Sequence, residues 1–397
     1  MSKRINILFY IISVAVLVYF AGNAQAGPGK GPAEVAKIEV MTQNLYVGAD
    51  VFRLFEPAPC GPAQSVFELF ETVKATNFPE RAEAIADIVQ RNRPHVIGLQ
   101  EVSLIRSQTP ADFLILPNPD GETFTYVPNA ETVEFDYLEL LVNALGARGL
   151  HYVVIEGATA EDADVELPMV SFDDECIPTS IPTDLRLSDR DVILVRGDLV
   201  TANAMNANFA NNLPVRVPGP GGITLAFEFT RGFGAVDVTV GKVTHRVVNT
   251  HLEVGDDDSE PTSDLNLLQL AQALELVSAV TGTGLPLTVV GDFNSSPSPL
   301  DPRPAYAVMT TSGYLDLWNV RQGPFDPGFT CCHDEVLRTD TAALDERIDH
   351  IFTRLPMDSE LLPIQSDTVG LRDNEKTASG MWPSDHAGVV TTLKFRR

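Results

Sequence analysis

The stretch Val289-Val290-Gly291-Asp292-Phe293-Asn294-Ser295 decides how the rest of the chain is read. Leu287 to Val290 is a short apolar run behind Pro286, the pattern of a buried strand. Gly291 ends the run, so Asp292 and Asn294 stand at its C-terminal mouth, where open α/β sheets keep their sites. With one residue between them, both side chains leave an extended backbone on the same side. A carboxylate beside an amide suits a phosphate ester attacked by water. The carboxylate accepts a proton from that water, and the amide donates to a phosphoryl oxygen. Gly-Asp-X-Asn is also an ordinary turn sequence, so its meaning depends on the rest of the chain.

The same ending recurs. Asn44 follows the run from Ile38 to Thr42, Glu101 follows Val96 to Leu99, and His251 follows Val247 to Thr250. Toward the C-terminus come Arg347-Ile348-Asp349-His350-Ile351-Phe352 and Ser384-Asp385-His386. Helical patterns cover Pro79 to Asn92, Phe135 to Arg148 and Ser263 to Val280, the last with Leu267, Leu270, Leu274 and Val277 on one stripe. Strands alternating with helices, followed by hairpins, predict an α/β chain with a mixed sheet. The segments 157–188 and 203–222 lack periodicity and read as a long surface insertion and a loop or irregular hairpin.

Together, Gln43-Asn44-Leu45, Gly98-Leu99-Gln100-Glu101-Val102, Asn249-Thr250-His251-Leu252, Gly291-Asp292-Phe293-Asn294, the Asp349 run and Ser384-Asp385-His386 resemble the endonuclease/exonuclease/phosphatase superfamily. Met41 to Asp50 and Phe329-Thr330-Cys331-Cys332-His333 are similar to an exported bacterial subgroup of it. The resemblance spans nearly all of the chain after residue 36. It implies a four-layered sandwich like that of deoxyribonuclease I, two facing mixed β-sheets with helices outside, and a metal-dependent hydrolase.

The resemblance also implies roles. Glu101 would be the principal metal ligand, with Asn44 and Asp385; oxygen donors of this kind suit Mg²⁺ or Mn²⁺. Asp292 would take a proton from water, Asn294 would hold a phosphoryl oxygen, and Asp349 would orient a cationic His386. His251 matches the second histidine of the deoxyribonuclease I and sphingomyelinase branches and would protonate the leaving group. Arg231, in Phe229-Thr230-Arg231-Gly232, resembles a phosphate-binding arginine, a task that suits a guanidinium. Asp189 is placed like the acid that orients the second histidine, with Asp191 as the alternative. The tyrosine of deoxyribonuclease I two residues before that acid is Leu187 here, which weighs against a nuclease.

Composition narrows the partner class. The formal net charge of −26 argues against a protein that coats nucleic acid electrostatically. A phosphate ester, in nucleic acid or a phospholipid head group, remains compatible with a small cationic pocket. Met1-Ser2-Lys3-Arg4, an apolar run to Phe20 and Ala24-Gln25-Ala26 predict a signal peptide over 1–26, hence an exported periplasmic or extracellular chain without a membrane span once matured. A flexible lead-in over 27–36 and one catalytic domain over 37–397, acting as a monomer, complete the expectation. Cys60, Cys176, Cys331 and Cys332 are even in number, and adjacent cysteines bridge each other poorly. At least one of Cys331 and Cys332 is therefore expected to bond to Cys60 or Cys176, with a zinc site as the minor alternative. Glu253, Asp256-Asp257-Asp258 and Glu260 read as a solvated loop before a helix start, or alternatively a Ca²⁺ site. Trp318, Trp382, Tyr46 and Phe325 are candidates for the rim of the site.

Overall fold

The computed structural model describes residues 35–396, apart from 57, 219–222, 257–260 and 343. The expected signal peptide and residues 27–34 of the lead-in lie outside the described residues. Val35 and Ala36, read from sequence as lead-in, already belong to the first strand, Val35–Asn44.

Two mixed sheets face each other. The larger runs in the order Glu360–Leu361, Gly388–Arg396, Val35–Asn44, Val96–Gln100, Thr183–Arg196, Leu104–Gln108, Thr132–Asp136, with three further strands on its flanks. The second runs Val200–Asn208, Gly232–Val240, Val243–His251, Leu287–Asp292, Asp349–Arg354, Leu315–Asp316. Val35–Asn44 is parallel to Val96–Gln100, and Val243–His251 is parallel to Leu287–Asp292, whereas Asp349–Arg354 runs antiparallel to its neighbour.

Alternation along each strand builds the layers. Ile38, Val40, Val96, Ile193 and Val195 of the larger sheet meet Val236, Val238, Val247, Val290 and Ile351 of the second in one buried core. The intervening residues Met41, Ile97, Leu99, Val192 and Leu194 point the other way, onto the helices Phe78–Asn92 and Tyr137–Ala147. On the far side, Ala235, Val248, Val289 and Phe352 pack against Asp264–Val280 and Ala305–Thr311. This is the expected four-layered sandwich. The two sheets approach tightly at Gly98, where a methyl group would collide with Asn249 and Val290.

Three expectations are corrected. The segment 157–188 is not aperiodic throughout: Ala160–Met169 pairs antiparallel with Thr183–Arg196. Its charges hid the strand because they are paired within it, as where Arg186 meets both oxygens of Asp164 at 2.7 and 2.6 Å. In 203–222 the hairpin alternative holds, since Leu213–Pro218 pairs antiparallel with Thr224–Phe229, while Val200–Asn208 joins the second sheet. Helix Asp264–Val280 starts at Ser263, whose Oγ accepts from Asn266 N at 3.3 Å, but only Leu270 and Val277 of the leucine stripe pack against the core. Leu267 and Leu274 are exposed, whereas Asn266, Gln269, Gln272 and Leu276 are buried. Finally, the long-range disulfide joins Cys60 to Cys176, with Cα atoms 5.3 Å apart, and Cys331 pairs with its neighbour Cys332. Among the described residues no helix is long and apolar enough to cross a membrane.

Candidate active site

The inter-sheet core turns polar at one end. Asn44 continues the face of Ile38 and Val40, Gln100 that of Val96, Asn249 and His251 that of Val247, and Asp292 that of Val290. Asp349 continues the face of Ile351 on an antiparallel strand. Register then aligns them, because His251 lies opposite Asp292 and Asp292 opposite Asp349 on neighbouring strands. Cross-strand neighbours on one face stand close enough to interact, so three chemically active side chains form a row.

His386 enters from the loop before Gly388–Arg396. Its Nδ1 lies 2.8 Å from Asp349 Oδ2, and its Nε2 lies 3.9 Å from Asp292 Oδ2. Burial alone would lower the His386 pKa, but Asp349 and then Asp385 outweigh it and hold the imidazole well above its ordinary value. Asp292 is pushed up to about 7 by burial and then by the Asp349 carboxylate, with His386 opposing. A carboxylate titrating near neutrality beside an imidazolium suits general-base work.

Glu101 and Asn294 both hold left-handed backbone, at φ 54° and 48°, uncommon for residues with side chains and recurrent at functional sites. Glu101 accepts from Asn44 Nδ2 at 2.9 Å and from Val47 N at 2.8 Å. The same Asn44 nitrogen reaches Asp292 Oδ2 at 3.2 Å, and Asn44 Oδ1 accepts from Tyr46 N at 2.8 Å. Asn44 therefore ties two carboxylates together by donating to both. Asp385 stands on the same side, pushed up to about 6 by burial, against the pull of His386 and with the help of Glu101. The carboxylates of Glu101 and Asp385 are hard oxygen donors, which suit a divalent cation such as Mg²⁺ or Mn²⁺.

His251 sits opposite. Its Nδ1 lies 2.9 Å from Arg231 Nη1, and its Nε2 lies 3.3 Å from Asn294 Nδ2 and 3.6 Å from Asp292 Oδ2. Burial first, then Arg231 and His386, hold it well below its ordinary pKa, so it is a neutral imidazole. With Arg231 donating to Nδ1, its proton resides on Nε2 and faces the row of acids. The carboxylate nearest His251 Nδ1 is Asp162, at 3.6 Å, rather than the expected Asp189. Arg231 is likewise engaged, 3.1 Å from Asp162 and 3.6 Å from Glu253. Glu253 is itself 3 % exposed, so it is not part of a solvated loop; residues 257–260 of that loop, with their Ca²⁺ alternative, lie outside the described residues. Val47, Val51, Glu101, Asp162, Leu187, Asp189, Phe229 and Arg231 border a cavity of about 80 Å³ beside this group.

The residue types in this arrangement match one family along almost the whole chain, the Endonuclease/Exonuclease/phosphatase family, over residues 41–386. The chain belongs to that family. Endonuclease/Exonuclease/phosphatase proteins are metal-dependent phosphoric ester hydrolases, and this chain is one. Solved structures share the fold. A family protein from Leptotrichia buccalis C-1013-b is 12% identical with a TM-score of 0.50, covering 90% of this chain and 99% of its own. Another from Bacteroides thetaiotaomicron is 14% identical with a TM-score of 0.50, covering 91% and 98%. No curated protein matches the chain.

Three supporting residues escaped the sequence reading. Gln100 Nε2 donates to Asn249 Oδ1 at 2.6 Å, binding the two sheets beneath the site. Both are polar residues inside apolar runs, a signal that was present in the sequence. Arg81, fully buried, donates to the carbonyls of Thr76 and Tyr46 at 3.0 Å and of Pro383 at 3.2 Å. It thereby holds the loop after Asn44 against the loop before Asp385 and His386, but a lone arginine in an amphipathic helix gives no such hint. Of the aromatic rim candidates, Tyr46, Trp318 and Trp382 are buried, and Phe325 is exposed.

Proposed function

We propose that the protein is an exported, Mg²⁺-dependent phosphodiesterase in which Asp292 activates water against a phosphate diester. The observation that carries this reading is the row His251, Asp292, Asp349 with His386 closing on it at 2.8 Å from Asp349. The Asp292 carboxylate takes a proton from the attacking water as the water oxygen bonds to phosphorus and the P–O bond to the departing alcohol breaks, the alkoxide taking its proton from solvent. The His386 imidazolium, held by Asp349, donates from Nε2 to a phosphoryl oxygen as negative charge builds there. Asn294 Nδ2 already donates to Leu252 O at 2.9 Å, so its second hydrogen and the Nε2 hydrogen of His251 remain to position phosphate. A divalent cation held by Glu101 and Asp385 would supply charge neutralisation at the phosphoryl oxygens. The intact set speaks against a catalytically silent binding module.

A phospholipid head-group ester is the second reading. An apolar cavity of about 90 Å³, lined by Leu54, Leu69, Phe70 and Leu185 among others, shares Val47, Val51, Leu187 and Phe229 with the cavity at Glu101 and Arg231. Apolar lining next to the catalytic row favours an ester with an aliphatic part over a long polyanion. The test is hydrolysis by the purified chain, with Mg²⁺ and with EDTA, of plasmid DNA, RNA, sphingomyelin, phosphatidylcholine and bis-p-nitrophenyl phosphate. Activity on at least one diester that EDTA abolishes and Glu101→Gln lacks is expected; undiminished activity in EDTA would refute the metal assignment.

A further inference from the structure

Behind His251, on the side away from Asp292, lies a second polar compartment. Asp162, Asp189, Asp191 and Glu253 line it, exposed by 1 %, 9 %, 0 % and 3 %. Asp189 and Asp191 continue the inter-sheet face of Ile193 and Val195. Asp162 arrives by a different device. Pairing of Ala160–Met169 with Thr183–Arg196 sets Glu161 opposite Arg190 and Ala163 opposite Asp189, so Asp162 is the extra residue of a bulge. Bulges re-aim side chains beside active sites, and this one turns Asp162 inward.

The charges there do not balance. Arg231 reaches Asp162 at 3.1 Å and Glu253 at 3.6 Å. The neighbouring cation Arg190 faces elsewhere, to Val102 O at 3.0 Å and Asp136 at 3.1 Å. Neither oxygen of Asp191 has a hydrogen-bond partner, nor has Asp162 Oδ1, Asp189 Oδ1 or Glu253 Oε2. Buried carboxylates are ordinarily paired, protonated or bound to a metal. One guanidinium among four of them leaves a need for further positive charge, most acutely at Asp191. Oxygen atoms of Asp162 and Asp191 and a ring nitrogen of His251 lie within 4.8 Å of one another, close enough to share one ion.

We propose that Asp162, Asp191 and Nδ1 of His251 form a second divalent-cation site, separate from the Glu101 centre. Two carboxylates with an imidazole nitrogen suit Mn²⁺ or Zn²⁺ better than Mg²⁺ or Ca²⁺, which take oxygen donors. Arg231 now occupies the place of that charge; on cation binding it turns to Glu253 and Asp189, whose unpaired oxygens can receive it. Ligation at Nδ1 fixes the His251 proton on Nε2, facing the catalytic row, as the arginine does in its absence. The cation thus positions His251 without touching substrate, and the site stands whichever phosphate ester is hydrolysed.

The experiment counts Mn²⁺ bound per chain, by electron paramagnetic resonance of free Mn²⁺, for wild type, Asp191→Asn, Asp162→Asn and Glu101→Gln. Thermal melts in EDTA and in Mn²⁺ accompany it. Wild type is expected to bind one more Mn²⁺ than either aspartate variant, whatever the Glu101 centre contributes. In EDTA, Asp191→Asn is expected to melt at or above wild type, because it removes an unpaired buried charge. In Mn²⁺, wild type is expected to gain more than the variant. Equal Mn²⁺ counts would overturn the proposal and mean that shared protons balance these acids. An Asp191→Asn melt well below wild type in EDTA would also overturn it, by making Asp191 a structural partner that needs no metal.

Discussion

Arg347 determines what Asp349 is free to do. Two residues apart on the approach to one strand, they invite reading as an ion pair. Instead Arg347 reaches Asp316 at 2.8 Å and lies 3.1 Å from His350 Nδ1, both buried partners. Asp349 is left for His386, and its other oxygen has no partner. Because Asp349 is the largest influence raising the His386 pKa, Asp349→Asn should lower it. The sign follows directly. His386 is charged below its folded pKa and loses that charge as pH rises through it. Activity that needs the imidazolium therefore fails on the alkaline side. In Asp349→Asn the alkaline limb of kcat/KM should move to lower pH, with the optimum rate falling roughly 10²-fold or more, the usual scale for one acid–base group. A pH–rate profile whose alkaline limb stays in place would disconnect the two residues.

At the scale of elements, the helix Asp264–Val280 shows where sequence reading succeeded and failed. Its start was legible from Ser263, since a serine before an apolar run caps a helix. Its buried face was not. Periodicity weighs apolar residues, and Leu267, Leu270, Leu274 and Val277 make a convincing stripe. The helix, however, packs over the loops that carry the site, and those loops present carbonyls that require donors. Gln269 Nε2 donates to Glu253 O at 3.0 Å and Asn294 O at 2.9 Å, and its Oε1 accepts from Ala305 N at 3.2 Å. Gln272 bonds both Glu253 N and Asn211 O. Gln269→Leu should therefore cost about 2–3 kcal/mol by orphaning buried groups, while Leu267→Ser should stay within about 0.5 kcal/mol. Urea melts of both variants check this; the opposite ranking would restore the leucine stripe. The bulge that turns Asp162 inward was illegible for a related reason, since one extra residue breaks the alternation by which a strand is recognised.

For the molecule as a whole, the sandwich was legible, and so was the end where Asn44, Glu101, His251 and Asp292 gather, because each of these four follows an apolar run. Where a strand ends is a sequence property, and parity then decides which side chains enter the space between the sheets. Pairings that depend on three-dimensional proximity were not legible. Cys60 with Cys176 and Asp162 with His251 are separated by 116 and 89 positions, and nothing local in either residue names its partner. Arg81 belongs with these, as a clamp between two loops distant in sequence. The central claim is that one end of the inter-sheet space carries out hydrolysis through Asp292. Its most direct test is the rate of bis-p-nitrophenyl phosphate hydrolysis by Asp292→Asn in saturating Mg²⁺, with circular dichroism confirming the fold. The substitution keeps the shape of the side chain and removes the base, so the rate should fall about 10²- to 10⁴-fold. A folded Asp292→Asn enzyme within tenfold of wild type would contradict the account.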